Sequence, residues 1–207
     1  MICHKYKTIF IHIPKTGGTS VEHAFDFVKI DQQKNTAQEM PRDPKNAKHH
    51  TASKLKKLYP NEFKNYYKWS IVRNPWEKDW SFYKMAKKMN PHAKIVFKDF
   101  LKKTEEALLL SGDGLPTRKF YPLLSQVRFL KTENGIEMDK IVRFENLKEE
   151  WKVVSGKLNK TYKDLKHLRK IDGDIKNDYD QECIDIVARL RKEDIEYFKY
   201  DLPEGLR

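Results

Sequence analysis

Residues 8–20 dictate a strand, a glycine-bearing loop and a helix in immediate succession. Thr8-Ile-Phe-Ile-His-Ile13 is a continuous, β-branched apolar run closed by Pro14, and Lys15-Thr16-Gly17-Gly18-Thr19-Ser20 follows it directly. An apolar run of that length, bounded by a breaker, reads as a short buried strand. Thr19 or Ser20 is placed to cap a helix over residues 21–28. The same order recurs at residues 66–89. An apolar stretch over 66–72 ends in Arg73-Asn74-Pro75, and Pro75 suits the first turn of a helix over 76–89 that Asn90-Pro91 stops.

The rest of the chain continues the alternation. Thr51 can cap a helix over 53–59 that Pro60-Asn61 ends, and residues 94–110 carry a helical pattern. Residues 126–131 and 138–144 read as two strands about the turn signal Asn134-Gly135. Asn146 can cap a helix over 151–158. A last helix over 181–198 sets Ile184, Val187, Leu190 and Ile195 on one face. Residues 31–47 are polar, contain Pro41 and Pro44, and read as a long loop; residues 111–116 form a second one. Strands alternating with helices predict an α/β layer architecture.

Composition narrows the class. With 207 residues, one domain over 1–207 is expected, large enough for a core without staples. Aromatic residues at 12% argue against disorder. No apolar run approaches the ~20 residues of a membrane helix, and Thr8–Ile13 leads into Pro-Lys-Thr-Gly-Gly rather than a cleavage site, so neither a span nor a signal peptide is expected. Cys3 and Cys183 are the only cysteines, and neither has a partner at metal-ligand spacing. A cytoplasmic protein with no metal site is therefore predicted. The 42 basic against 30 acidic residues give +12, which points to an anionic ligand without choosing among nucleic acid, lipid, glycan and phosphorylated small molecule.

The loop 14–20 has the parts of an anion cradle. Gly17 and Gly18 permit close backbone approach, main-chain N–H groups at a helix start point outward, Thr16, Thr19 and Ser20 add hydroxyls, and Lys15 adds a charge. It is not the Walker pattern, because Lys15 precedes the glycines instead of following them. Arg73, at the end of the second strand, and Ser81, inside the following helix, could meet one phosphate as fork and hydroxyl.

Together these segments resemble the two cofactor-binding signatures of the sulfotransferase superfamily. Pro14-Lys15-Thr16-Gly17-Gly18-Thr19-Ser20 is similar to its 5′-phosphosulfate loop. Val72-Arg73-Asn74-Pro75, through Ser81 and Tyr83, is similar to its 3′-phosphate motif. The order and separation suit the compact carbohydrate-type branch. Ile141-Val-Arg-Phe-Glu-Asn-Leu147 and the tail from Asp180 to Tyr200, with Glu193-Asp194-Ile195, look like its later part. The family often has Arg where this chain has Lys78, and lysine keeps the charge but loses the bidentate fork.

The resemblance implies a P-loop-like three-layer α/β/α fold with a mostly parallel central sheet. It implies the donor 3′-phosphoadenosine 5′-phosphosulfate (PAPS), with the bisphosphate PAP as product, and a hydroxyl-bearing acceptor, expected to be a saccharide. On this reading Lys15 stabilises the leaving phosphate, Lys15 to Ser20 cradle it, and Arg73 with Ser81 holds the 3′-phosphate. Histidine is the natural base. Lys48-His49-His50-Thr51-Ala52 is similar to a family segment, Lys-His-x-Thr-Ala, in which a histidine is proposed as base, which puts His49 first and His50 as its competitor; a carboxylate such as Asp43 is the further option. His12 reads as structural, His23 as able to face either way, and His4, His92 and His167 as exposed. Trp76 and Trp80, four apart, read as core.

Other classes remain open at this point. Tyrosine, lipid or small-metabolite hydroxyls are alternative acceptors. A P-loop phosphotransferase would require Mg²⁺–ATP, and a basic nucleic-acid module would require an aromatic–basic stripe. The lysines are spread along the chain and no nucleic-acid motif occurs. No motif encodes the oligomeric state.

Overall fold

A computed structural model describes residues 1–25, 49–111, 124–161, 164–165 and 173–207. The chain forms two compact units, Met1–Val72 with Arg128–Arg169, and Arg73–Val127 with Lys170–Arg207.

The first unit is built on strands β1 (Ile2–Cys3), β2 (Thr8–Ile11) and β3 (Tyr67–Val72), with helices α1 (Gly18–Ala24), α2 (Ala52–Leu58) and α3 (Pro60–Asn65) between the last two strands. After the second unit's α4 (Pro75–Met89) and α5 (Phe97–Ser111), helix α6 (Gln126–Leu130) leads back to a small hairpin, β4 (Lys131–Thr132) with β5 (Gly135–Ile136). Strand β6 (Lys140–Arg143) and helix α7 (Leu147–Lys157) follow.

The sheet order is β1-β2-β3-β6. β2 pairs in parallel with β3, Ile9 opposite Lys68, and β3 in parallel with β6, Ser70 opposite Ile141; only β1 is antiparallel. The fold is thus mixed α/β with a mostly parallel sheet. All four residues of β2 are buried, as the unbroken apolar run requires. Phe10, Trp69 and Val142 from three strands meet Val21 of α1, Phe25 just after that helix, and Trp151 of α7. Ser70 sits in this sheet only because its hydroxyl donates to the Ile11 carbonyl at 2.6 Å.

In the second unit Trp76, Trp80 and Tyr83 of α4 pack with Phe97 and Leu101 of α5 and Val187 of α8 (Gln181–Leu190). The indole N–H groups of Trp76 and Trp80 donate to the Ile184 carbonyl and to Asp178. These tryptophans are core, as their spacing predicts. Among the described residues no helix is long and apolar enough to cross a membrane.

Several local expectations need correction. Neither Thr19 nor Ser20 caps α1. The helix begins at Gly18 after a left-handed Gly17, with no side-chain cap, and the expected extension to residue 28 lies outside the described residues. Thr51 does cap α2, accepting from the Lys54 N–H. α2 stops before Pro60 as expected, and Pro60 then opens α3, because a proline at the first helical position sacrifices no hydrogen bond. Residues 126–130 are helical rather than extended. The Asp194 carboxylate accepts from the N–H groups of Gln126 at 2.9 Å and Val127 at 3.0 Å, and that cap decides the conformation. The hairpin about Gly135 is correspondingly short. The last helix breaks at Arg191 into α8 and α9 (Lys192–Phe198), where the guanidinium turns inward to Asp79.

Candidate active site

In the first unit the loop after β2 holds two left-handed residues, Lys15 at φ 70° and Gly17 at φ 83°. For a lysine this backbone costs about 1 kcal/mol, so its surroundings must hold it there. Left-handed Gly17 followed by helical Gly18 is the alternation that turns successive main-chain N–H groups to one side, a concavity suited to anions. Thr16 is fully buried and spends its hydroxyl proton on the Ile13 carbonyl at 2.9 Å, which braces the loop from within. Lys15, Thr19 and Ser20 are half-buried along the same loop.

Neither glycine tolerates a side chain. A Cβ on Gly17 would lie 2.8 Å from the Phe144 ring, and one on Gly18 would lie 2.2 Å from His12 Cδ2. The missing side chains therefore face protein, and the glycines serve packing as much as conformation.

His49 sits on the end of the same strand. Its Nδ1 is 2.9 Å from the carbonyl oxygen of His12. A carbonyl only accepts, so Nδ1 carries the proton and the lone pair of the neutral ring is on Nε2. The ring centroids of His12 and His49 are 4.5 Å apart. His12 is buried, and its Nδ1 is 2.5 Å from Glu22 Oε1 on α1. His50 is half-buried beside His49. His4, His23 and His92 are exposed, and His4 contacts the Tyr66 hydroxyl at 2.9 Å. Asp43, Lys48, His167 and the loops at 31–47 and 112–116 lie outside the described residues.

In the second unit Arg73 stands just before α4, whose cap is Asn74 accepting from the Trp76 N–H. Gln126 fixes the Arg73 main chain from both sides. Its Oε1 accepts from the Arg73 N–H and its Nε2 donates to the Arg73 carbonyl, each at 2.8 Å. Glu77 Oε2 receives the Arg73 Nε at 3.3 Å and Nη2 at 3.1 Å, an i,i+4 pair that aims the guanidinium. Ser81, two turns along α4, is 2% exposed.

Lys78 does not reach the surface: it is 1% exposed, in a buried group of two cations and two anions with Asp79, Arg191 and Asp194. Burial first, then the Arg191 charge, pull the Lys78 amine down to about 8 despite Asp79 and Asp194. Burial pushes Asp194 up, against the pull of Lys78 and the two N–H groups it caps. Burial opposes the Arg191 charge too, but Asp79 at 2.8 Å outweighs it and holds the guanidinium ionised.

Sequence reasoning named the loop, Arg73, Ser81, Lys78 and the histidine pair as candidates, but not Glu22, Gln126 or the charged partners that bury Lys78. For Glu22 a faint signal existed: a carboxylate beside Val21, four residues after Gly18, on a helix too short to hide its inner face. Gln126 and Asp194 carry none, since their partners are distant in sequence.

The first unit presents a cation, a turn of main-chain N–H groups and an imidazole held through its Nδ1–H, and the second unit, by itself, presents a guanidinium paired with Glu77; groups of each kind suit phosphate and sulfate esters. A family model described as "Sulfotransferase family" matches residues 1–201. The chain belongs to the sulfotransferase family. It is a sulfotransferase, and its acceptor bears a hydroxyl; the family draws its sulfuryl group from PAPS. No curated protein and no solved structure matches the chain.

Proposed function

We propose that this sulfotransferase uses PAPS to sulfate a saccharide hydroxyl, with His49 as general base, in one catalytic domain of the P-loop-like α/β/α type. PAPS supplies a sulfuryl group whose bond to the 5′-phosphate oxygen breaks as the bond to the acceptor oxygen forms. His49 Nε2 takes the acceptor proton, the opposite ring nitrogen being held by the His12 carbonyl. Lys15 and the main-chain N–H groups of Gly17 to Thr19, with the Thr19 and Ser20 hydroxyls, meet the charge gathering on the departing phosphate, the Ser20 N–H being taken by the Gly17 carbonyl. Thr16 contributes through its N–H, its hydroxyl being the loop's brace. Arg73 and Ser81 hold the 3′-phosphate, a contact that separates PAPS from nucleotides lacking that group. His50, adjacent in the chain, shapes the acceptor side. The saccharide follows from the resemblance to the carbohydrate-type branch.

One observation carries the reading. His49 is held by the carbonyl of His12, three residues before Lys15, so one strand end supports both the proton acceptor and the cation that the reaction needs.

The test is calorimetric binding of PAP to wild type, Arg73→Ala and Lys15→Ala, with Mg²⁺–ATP as control ligand. It is followed by transfer of radiolabelled sulfate from PAPS to a panel of neutral, uronate-containing and sulfated oligosaccharides, with His49→Ala as comparison. Micromolar PAP binding lost in Arg73→Ala, and saccharide labelling lost in His49→Ala, are expected. A preference for Mg²⁺–ATP, or labelling that survives in His49→Ala, overturns the donor and base assignments respectively.

A further inference from the structure

Among the described residues His12 is the one buried histidine, and its surroundings give it more than a packing role. Its Nδ1 lies 2.5 Å from Glu22 Oε1, and both side chains are nearly inaccessible. That separation is an ion-pair contact, and a carboxylate facing Nδ1 favours the ring form that carries its proton there. The opposite edge of the ring, Cδ2 and Nε2, lies against Gly18, so closely that a Cβ there would come within 2.2 Å and 2.3 Å of those atoms. Gly18 and Glu22 are four residues apart on α1 and therefore share a face. The helix that follows the candidate cofactor loop thus grips one imidazole from two sides.

His12 in turn supports His49 twice. Its carbonyl fixes the Nδ1–H of His49 at 2.9 Å, and its ring stands 4.5 Å from the His49 ring at 52°. Behind it, Phe10 stacks on the His12 ring at 5.6 Å and 25°. His12 cannot turn without losing the carboxylate, the glycine or the stack.

We propose that Glu22 and His12 are positioning residues for the general base. Glu22 locks the His12 imidazole against Gly18, and His12, through its carbonyl and ring face, holds His49 with the proton on Nδ1 and the lone pair on Nε2. This rests on His49 being the base. It also explains why base and cofactor loop stay in register: one imidazole touches both.

The test pairs kinetics with a readout of the tautomer. Glu22→Leu removes the acceptor at nearly constant volume, Glu22→Gln restores an acceptor oxygen, and His49→Ala is the reference. Kinetics use PAPS with the most active oligosaccharide of the panel above. Long-range ¹H–¹⁵N spectra of histidine-labelled protein read which ring nitrogen carries the proton. In Glu22→Leu we expect kcat to fall on the order of tenfold, with KM for PAPS within about twofold, as a misaligned base predicts. In Glu22→Gln we expect recovery of most of kcat. Wild-type spectra should show the proton on Nδ1 of both His12 and His49, and Glu22→Leu should show a mixture at His49.

Unchanged kcat in Glu22→Leu, a loss confined to KM, or Gln no better than Leu overturns the positioning role. If Glu22→Leu does not fold, the wild-type spectrum decides, because a His49 protonated at Nε2 contradicts the arrangement. Failure of the base assignment is read separately. If His49→Ala keeps wild-type kcat, the base assignment falls and this inference with it. If His49→Ala is inactive while Glu22→Leu is not impaired, only the positioning role falls.

Discussion

Replacing Gln126 by leucine should loosen Arg73 without touching its side chain. The Gln126 amide is fully buried and closes two hydrogen bonds of 2.8 Å, one to the N–H and one to the carbonyl of Arg73. Leucine fills the volume and leaves both main-chain groups orphaned. Each orphan costs about 1–3 kcal/mol when buried, and these are partly buried, so the pair is worth about 2–4 kcal/mol. For a chain of this size that is a fall in Tm of roughly 4–16 °C. Gln126→Glu should do no better: the carboxylate still accepts from the N–H, but its second oxygen faces the Arg73 carbonyl. Thermal unfolding by circular dichroism gives the stability, hydrogen exchange at the Arg73 amide gives the local opening, and PAP calorimetry gives the ligand consequence. We expect faster exchange at that amide and weaker PAP binding in both variants. A Gln126→Leu protein within about 0.5 kcal/mol of wild type, the range of an ordinary surface change, would refute the clamp. Full PAP affinity alongside fast Arg73 exchange would refute the idea that the clamp aims Arg73.

The glycines give a paired test. Gly18→Ala should destabilise, because overpacking of about 1–3 kcal/mol against His12 exceeds the gain of about 1 kcal/mol in helix propensity. Gly156→Ala, with open space about it on α7, should instead stabilise by about 0.5–1 kcal/mol, and urea unfolding separates the two. Asp79→Ala strands the buried Arg191 guanidinium and should cost about 3–5 kcal/mol, read as a shift in the urea midpoint. Lys78 predicts a pH dependence. Its folded pKa is lowered from 10.5 to about 8, so between those values the unfolded state binds more protons and the contribution of Lys78 to stability rises with pH. Cys183, raised by burial to about 11 from 9.0, works in the opposite sense above pH 9, so the quantity to measure is the difference between wild type and Lys78→Met. That difference should slope between about pH 8 and 10.5, and a flat one would contradict the buried position of the amine.

How much of this was legible in the chain depends on how local the cause is. The run at residues 8–13 needs no partner to be read as a buried strand, and β2 is buried throughout. Asn74-Pro75 starts α4 by its own chemistry. Thr51 caps α2 because its hydroxyl and the Lys54 N–H are three residues apart. Where the deciding contact comes from far along the chain, the local reading fails. Residues 126–130 have strand-like composition, yet Asp194, 68 residues away, caps them into a helix. Residues 181–198 have one continuous helical pattern, yet the attraction of Asp79 for Arg191 marks the break.

The candidate site divides on the same line. Lys15, the two glycines, Arg73, Ser81 and His49 were named from motifs, because a loop that meets an anion must carry its cation, its hydroxyls and its small residues in a short span of chain. Which nitrogen of His49 holds the proton depends on the carbonyl of His12, 37 residues away. The occupation of Thr16's hydroxyl by Ile13, the aim of Arg73 by Glu77 and Gln126, and the burial of Lys78 among three charged side chains likewise became visible only on folding. Sequence determined the donor and acceptor groups and the strand–loop–helix units that present them, since those follow from residue type and spacing. Tertiary structure decided each group's protonation, direction and freedom, since these are set by neighbours that only the folded chain brings within hydrogen-bonding distance.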